Sequence, residues 1–420
     1  MSQAHRHIIE TLGQAARSAS QWLAHAPEIQ INAALISTAL ALRQNMDVIL
    51  AANQKDLDVA SYKQLAPALI DRLTLTEARI EAMAQGLEDI STLPDPSGKI
   101  LAAWTRPNGL HIERISVPIG VLGMIYEARP NVTIDAAGLC LKSRNAVILR
   151  GGSESMNSSL ALFNIMSVVL HEHGLPQGTI GMIDDPDRDL VGEMLRADDY
   201  IDVFIPRGGK GLVERVKAEA RMPVFSHLDG ICHVYVHPSV NMAIASAVVV
   251  NAKMRRTGIC GAAETLLLDQ NLDPALARQI ILDLLEAGCT VLGDASVMAL
   301  DPRVRAATDA DWSTEYLDAR ISARFVSGVE EAVQRINTYG SMHTDSILAE
   351  DQLAAEYFLS HVNSAIAMQN ASTQFADGGE FGMGAEIGIS TGKFHARGPV
   401  GVEQLTTYKY IVRGHGQTRA

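Results

Sequence analysis

Ile119-Gly120-Val121-Leu122-Gly123-Met124-Ile125-Tyr126 and Ala146-Val147-Ile148-Leu149-Arg150-Gly151-Gly152-Ser153 are the stretches that decide the fold. Each is a short apolar run, and the segment between them, Thr133 to Lys142, reads as a helix. A continuous apolar run bounded by turn residues is what a strand buried on both faces requires. A second helix runs to about His171, and Thr179–Ile183, Ile201–Ile205 and Val234–Val236 supply further strands. Strand–helix alternation of this kind implies an α/β fold with a parallel, doubly wound sheet. Two glycine turns each follow a strand and precede a helix: Arg150-Gly151-Gly152-Ser153 and Arg207-Gly208-Gly209-Lys210. Strand end, glycines, helix N-terminus and a basic residue together suggest a place for a phosphate-bearing ligand. Neither turn matches the GxGxxG dinucleotide fingerprint.

Upstream, residues from about Ile8 to Ile90 read as helical, with Leu35, Ala39, Leu42, Met46 and Ile49 at helical spacing. Thr74 with Glu77 fits a capping box. Lys99–Arg106 and Leu110–Ser116 flank Asn108-Gly109, the pair that a type I′ hairpin turn prefers. Downstream, Val240–Val250 reads as a helix and Thr265–Leu268 as a strand, with Cys260 between two glycines in the connection. Lys253, Arg255 and Arg256 lie just before it, and a positive field favours the reactive thiolate. On residue chemistry alone, a buried structural cysteine in a tight turn stays the alternative. The glycine-rich segments at Gly378–Gly384 and Thr391–Pro399 carry Phe, Lys, His and Arg, so they read as ordered ligand loops. Leu405–Val412 reads as a strand.

With 420 residues, the chain exceeds one ordinary core, and two or three domains are expected. A net charge of −13 argues against a nucleic-acid or anionic-membrane surface. The four cysteines (140, 232, 260 and 289) have no CxxC spacing, so no zinc knuckle or redox dithiol is expected. His171 and His173 end a helix without a third ligand and read as solvated; no metal is expected. Well-separated thiols and the lack of an apolar leader point to a soluble protein of the reducing cytoplasm.

Val117-Pro118-Ile119-Gly120-Val121-Leu122-Gly123-Met124-Ile125-Tyr126-Glu127-Ala128-Arg129-Pro130-Asn131-Val132-Thr133, Leu149-Arg150-Gly151-Gly152-Ser153-Glu154, Arg256-Thr257-Gly258-Ile259-Cys260-Gly261-Ala262 and Phe394-His395-Ala396-Arg397-Gly398-Pro399 carry a resemblance. The sequence resembles the aldehyde dehydrogenase superfamily, and within it the branch that reduces glutamyl 5-phosphate. The resemblance implies an aldehyde dehydrogenase-like fold: a Rossmann-like NADP(H)-binding domain (1–98 and 117–229), an α/β catalytic domain (230–398) and a β-hairpin oligomerisation flap (99–116 and 399–420). It implies NADPH-dependent conversion of glutamyl 5-phosphate to glutamate 5-semialdehyde in proline biosynthesis, in a homo-oligomer. A transient contact with glutamate 5-kinase stays open.

By the same resemblance, Cys260 is the nucleophile that carries a glutamyl thioester. The superfamily uses an asparagine as oxyanion donor in the loop of Arg129-Pro130-Asn131; Asn131 is offset from it in an ungapped match. Arg129, Arg256 and His395 are the substrate-binding candidates, the arginines for the phosphate or α-carboxylate. The cofactor candidates are Arg150, Gly151, Gly152, Ser153, Arg207, Gly208, Gly209 and Lys210. Arg150 and Ser153 hold the superfamily's lysine and ribose-binding glutamate positions, which favours a 2′-phosphate. His227, in His227-Leu228-Asp229-Gly230, stands where hydrolytic relatives carry a general-base glutamate. A hydrolytic aldehyde dehydrogenase and a non-catalytic nucleotide-binding module are the competing functions.

Overall fold

The apolar spacing that begins at Leu35 folds as two helices, Glu28–Gln44 and Met46–Tyr62, broken at Asn45, whose side-chain amide donates to the Ala41 carbonyl at 2.8 Å. The computed structural model describes residues Gln3–Arg419. They form two units: one runs to Ser226 and includes Gly382–Gly388 and the chain from Val400; the other comprises His227–Phe381 and Ile389–Pro399. The division falls before His227, earlier than the expected residue 230, and the segment Gly382–Gly388 joins the first unit. There Ile387 and Ala385 pack with its core.

In the first unit, helices from the N-terminal region flank a parallel sheet in the order Ile180–Met182, Ala146–Gly151, Val121–Tyr126, Val203–Arg207. Every residue of the two central strands is buried, which explains their unbroken apolar sequence. The helix Val132–Lys142 buries Lys142, whose Nζ donates to Asn32 Oδ1 at 2.8 Å and to the Ser91 carbonyl at 3.1 Å. This ties the sheet layer to the preceding helices. The helix Glu77–Thr92 is capped by Thr76, whose hydroxyl accepts from the Arg79 N–H at 3.2 Å. The expected Thr74 cap is thus corrected: its hydroxyl is spent on the Ile70 carbonyl at 2.7 Å.

Ile100–Thr105, His111–Pro118 and Thr406–Arg413 form an antiparallel three-stranded sheet, with the central strand in register Tyr408↔Ser116 and Arg413↔His111. The turn is not type I′, which needs positive φ at both central residues. Pro107 cannot adopt positive φ, because its ring fixes φ near −65°. Only Gly109 is left-handed (φ +85), and its N–H donates to the Arg106 carbonyl at 2.9 Å. Arg106-Pro107-Asn108-Gly109 is therefore a turn closed by a glycine bulge.

The second unit is built on a parallel sheet, in the order Arg305–Ala306, Thr290–Gly293, Arg320–Val326, Ala263–Asp269, Cys232–Val236, Thr344–Leu348, Ile366–Gln369. The helices Met242–Met254 and Pro274–Glu286 pack their apolar faces with it around Leu266, Leu268, Ile280 and Val249. No helix among the described residues is long and apolar enough to cross a membrane.

Candidate active site

Cys260 lies in the second unit, between the helix Met242–Met254 and the strand Ala263–Asp269. The apolar run from Met242 makes the helix, and Asn241 starts it by accepting from the Ala243 N–H at 3.0 Å. Gln374 ties its far end: Nε2 donates to the carbonyls of Ala252 (2.9 Å) and Arg256 (3.2 Å). The turn after it is pressed against residue 230. A Cβ on Gly230 would stand 2.2 Å from the Cys260 carbonyl oxygen and 2.6 Å from its Cα. Only glycine permits this approach. The Gly230 N–H is held by Glu315 Oε1 at 2.8 Å, and the buried Cys232 thiol donates to the Cys260 carbonyl at 3.1 Å.

Cys260 Sγ and one ring nitrogen each of His227 and His343 lie within 4.8 Å of one another. His227 Nδ1 is 2.8 Å from the Ile389 carbonyl, which can only accept, so Nδ1 carries the proton and Nε2 the lone pair. The His343 ring crosses it edge to face, with centroids 5.1 Å apart. His343 is fully buried; burial, aided by the neighbouring His227, pushes its pKa down to about 3. It is therefore a neutral imidazole at physiological pH. Its Nδ1 is 2.9 Å from Thr344 Oγ1, and its Nε2 has no hydrogen-bond partner among the described residues.

The basic residues before Cys260 act differently from expectation. Lys253 is wholly buried, and its Nζ donates to Glu264 Oε2 at 2.5 Å. Burial, opposed by Lys253, raises the Glu264 pKa to about 7. Lys253 thus serves this internal pair, while Arg255 and Arg256 are exposed. His395 is exposed in the loop before Gly398, where Arg397 Nη2 donates to the Asn363 carbonyl at 2.6 Å.

In the first unit, Ala128 adopts a left-handed backbone (φ +43), and its N–H is held by Glu154 Oε1 at 2.7 Å. This shapes the loop that carries Arg129 and Asn131. The Asn131 amide donates to Asp135 Oδ2 at 2.8 Å, an orientation that the sequence does not reveal. The helix starts that follow the two glycine turns carry carboxylate partners from other segments. Asp56 accepts from the Asn157 and Ser158 N–H groups (3.2 and 2.8 Å), and Glu127 accepts from the Gly209 N–H (2.7 Å). Carboxylates of the chain already neutralise both helix starts. What the first turn still offers is side chain: Arg150 donates through Nη2 to the carbonyls of Pro186 (3.2 Å) and Asp187 (3.0 Å), its buried Nε has no hydrogen-bond partner among the described residues, and Ser153 is exposed. Lys210 is exposed at the start of the helix Lys210–Glu219. His173, at the end of the helix Met156–Glu172, is 2.9 Å from Ser37 Oγ through Nε2.

His343 was not legible in the sequence. It stands just before the strand Thr344–Leu348, and the sheet places that strand beside Cys232–Val236. Gly230→Ala is expected to force the Cys260 backbone away, at a cost of about 1–3 kcal/mol. Thermal unfolding and an activity assay should show a lower midpoint together with at least tenfold slower turnover. Wild-type values for both would mean that the Cys260 position tolerates displacement.

The chain matches the aldehyde dehydrogenase family over residues 1–286. It is 58% identical over 412 residues to the gamma-glutamyl phosphate reductase of Paramagnetospirillum magneticum, covering 98% of this chain and 97% of that protein. The crystal structure of gamma-glutamyl phosphate reductase from Thermotoga maritima is similar with a TM-score of 0.96 at 40% identity, covering 98% of this chain and all (100%) of that one. An acetylating aldehyde dehydrogenase from Geobacillus thermoglucosidasius shares the fold at a TM-score of 0.71 and 19% identity, covering 99% of this chain and 98% of that one.

Proposed function

Because the chain belongs to the aldehyde dehydrogenase family, and within it to the gamma-glutamyl phosphate reductases, we propose that it reduces L-glutamyl 5-phosphate to L-glutamate 5-semialdehyde with release of phosphate, a step of proline biosynthesis. The observation that carries the mechanism is the grouping of Cys260 with His227 and His343. The lone pair on His227 Nε2 receives the thiol proton, and the Cys260 thiolate attacks the acyl carbon. The carbon–oxygen bond to phosphate breaks, the proton passes from His227 to the leaving oxygen, and a thioester remains. NADPH, when bound, supplies the hydride equivalent that takes the thioester to the aldehyde level. Collapse of the resulting tetrahedral oxyanion releases the aldehyde and the Cys260 thiolate, which regains its proton from solvent. The Cys260 N–H and Asn131, held by Asp135, serve as the oxyanion donors. Arg129, Arg256 and His395 hold the phosphate and the α-carboxylate.

The cofactor turn fits a phosphate-bearing group through the orphaned Arg150 Nε and the exposed Ser153 hydroxyl. Arg207 and Lys210, which flank Gly208 and Gly209, contribute side-chain charge. Ser153→Glu would set a carboxylate against the 2′-phosphate, and two like charges about 4 Å apart repel by about 1–4 kcal/mol between aqueous and protein surroundings. The NADPH-over-NADH ratio of kcat/KM should fall at least fivefold in this variant. An unchanged ratio would remove Ser153 from the cofactor site.

Self-association through the three-stranded sheet belongs to the same reading. Tyr408, Tyr410 and Val412 are exposed on one face of its edge strand, with Trp104 against Tyr410. So does a cytoplasmic location, where thiols stay reduced. A transient contact with glutamate 5-kinase would shorten the exposure of the labile acyl phosphate to water. The test of the reaction is its reverse: glutamate semialdehyde, phosphate and NADP should yield reduced cofactor, and no reduced cofactor would reject the assignment.

A further inference from the structure

The grouping of Cys260, His227 and His343 has a chemistry besides acyl transfer. One sulfur and two imidazole nitrogens are ligand types that zinc takes, and three such ligands leave a fourth position open. The second unit supports the ligands as metal sites do. His227 gives its Nδ1–H to the Ile389 carbonyl at 2.8 Å, so the ring is oriented with Nε2 as donor of a lone pair. His343 is wholly buried and Nε2 has no hydrogen-bond partner among the described residues, while Nδ1 faces Thr344 Oγ1. Both rings can therefore bind a cation as neutral imidazoles. The ligand atoms lie within 4.8 Å of one another. Zinc bonds of about 2.0–2.3 Å bring tetrahedral ligands to about 3.3–3.7 Å apart, a contraction of about 1 Å that side-chain rotation can supply.

From this geometry we infer that Cys260, His227 and His343 capture a soft divalent cation, zinc by preference, and that capture reversibly silences the nucleophile. Binding exchanges the Cys260 proton for the metal: the S–H bond breaks, a metal–sulfur bond forms, and the proton passes to solvent. The ion is no part of the reaction; it competes with the acyl group for the same sulfur. Hard cations, which prefer oxygen ligands, do not compete.

Cobalt(II) is the probe, because thiolate ligation gives it a ligand-to-metal charge-transfer band in the near ultraviolet. Metal-stripped protein should develop this band at one equivalent of cobalt, zinc should displace it, and magnesium should leave it unchanged. Zinc should also protect Cys260 from iodoacetamide, with EDTA restoring the reaction. Cys260→Ser should lose the band, and His343→Gln should weaken binding at least about tenfold. Protein alkylated beforehand at Cys260 keeps its fold and should show no band, so the test survives a poorly folding His343 variant. Absence of the band in the wild type, or wild-type affinity in His227→Gln and His343→Gln, overturns the inference. The readout is bound cobalt, so its failure leaves the reductase reading untouched, and an inactive enzyme could still bind the metal.

Discussion

Cys260→Ala is expected to lower turnover by about 10⁴-fold or more and to leave cofactor binding at the wild-type level. The size of the loss follows from the number of steps that pass through one sulfur: attack on the acyl carbon, storage of the acyl group and collapse of the thiohemiacetal. Alanine offers no atom for any of them. On the proposed reading, cofactor binding should be retained, because the Arg150 side chain is held by the Pro186 and Asp187 carbonyls within the first unit. Single-turnover kinetics with acyl phosphate, beside a titration of NADPH fluorescence, measures both quantities. A variant with substantial turnover would end the thioester mechanism; one that no longer binds NADPH would mean that the substitution acts through folding.

The other cysteines sharpen the comparison. Cys140 and Cys289 are buried thiols that burial holds well above their ordinary pKa. Their alanine variants should keep activity. Cys232 differs, because its thiol donates to the Cys260 carbonyl at 3.1 Å. Loss of one such bond costs about 0.5–1.5 kcal/mol. Cys232→Ala should therefore be the more impaired of the three, and Cys232→Ser, which keeps a donor, should recover part of the loss.

The alternation from Val121 to Arg207 was legible because buried parallel strands leave an unbroken apolar signature, and the helix Val132–Lys142 begins within one residue of its expected start. Local chemistry was less legible where one residue overrode a pair rule, as Pro107 did beside Asn108-Gly109. Partners distant in sequence were not legible at all. Asp56 and Glu127 bond N–H groups at the starts of helices in other segments, partners that the sequence of the two glycine turns does not show. Lys253 looked like a source of positive field for Cys260 until the adjacent strand brought Glu264 to it. His343 reaches the nucleophile only through sheet order, with Thr344–Leu348 paired to Cys232–Val236. Cys260 itself could be assigned only through the resemblance carried by Arg256-Thr257-Gly258-Ile259-Cys260-Gly261-Ala262, because two glycines and a preceding helix suit a structural cysteine equally.

Oxidation of glutamate semialdehyde by the wild type should require phosphate or arsenate, and should fall to about 1% or less without either, the loss of a general-base-assisted attack. The group at position 227 decides which nucleophile reaches the thioester. A carboxylate there would order and deprotonate water, and would repel phosphate by about 4 kcal/mol per pair of unit charges about 4 Å apart in a protein site. The residue is His227, within 4.8 Å of Cys260 Sγ and oriented by the Ile389 carbonyl. An imidazole carries no fixed negative charge, and its Nε2 lone pair can accept the proton of an attacking phosphate. His227→Glu should reverse the preference, adding phosphate-independent formation of free glutamate while slowing the phosphate-dependent reaction. Asp229, two residues on, is the remaining carboxylate of this segment, and Asp229→Asn distinguishes it: a residual hydrolytic rate lost in that variant would belong to Asp229. The decisive measurement is NADPH formation in phosphate-free buffer. Rapid formation by the wild type would make this a hydrolytic aldehyde dehydrogenase, with His227 in the place of the missing carboxylate as the base that activates water.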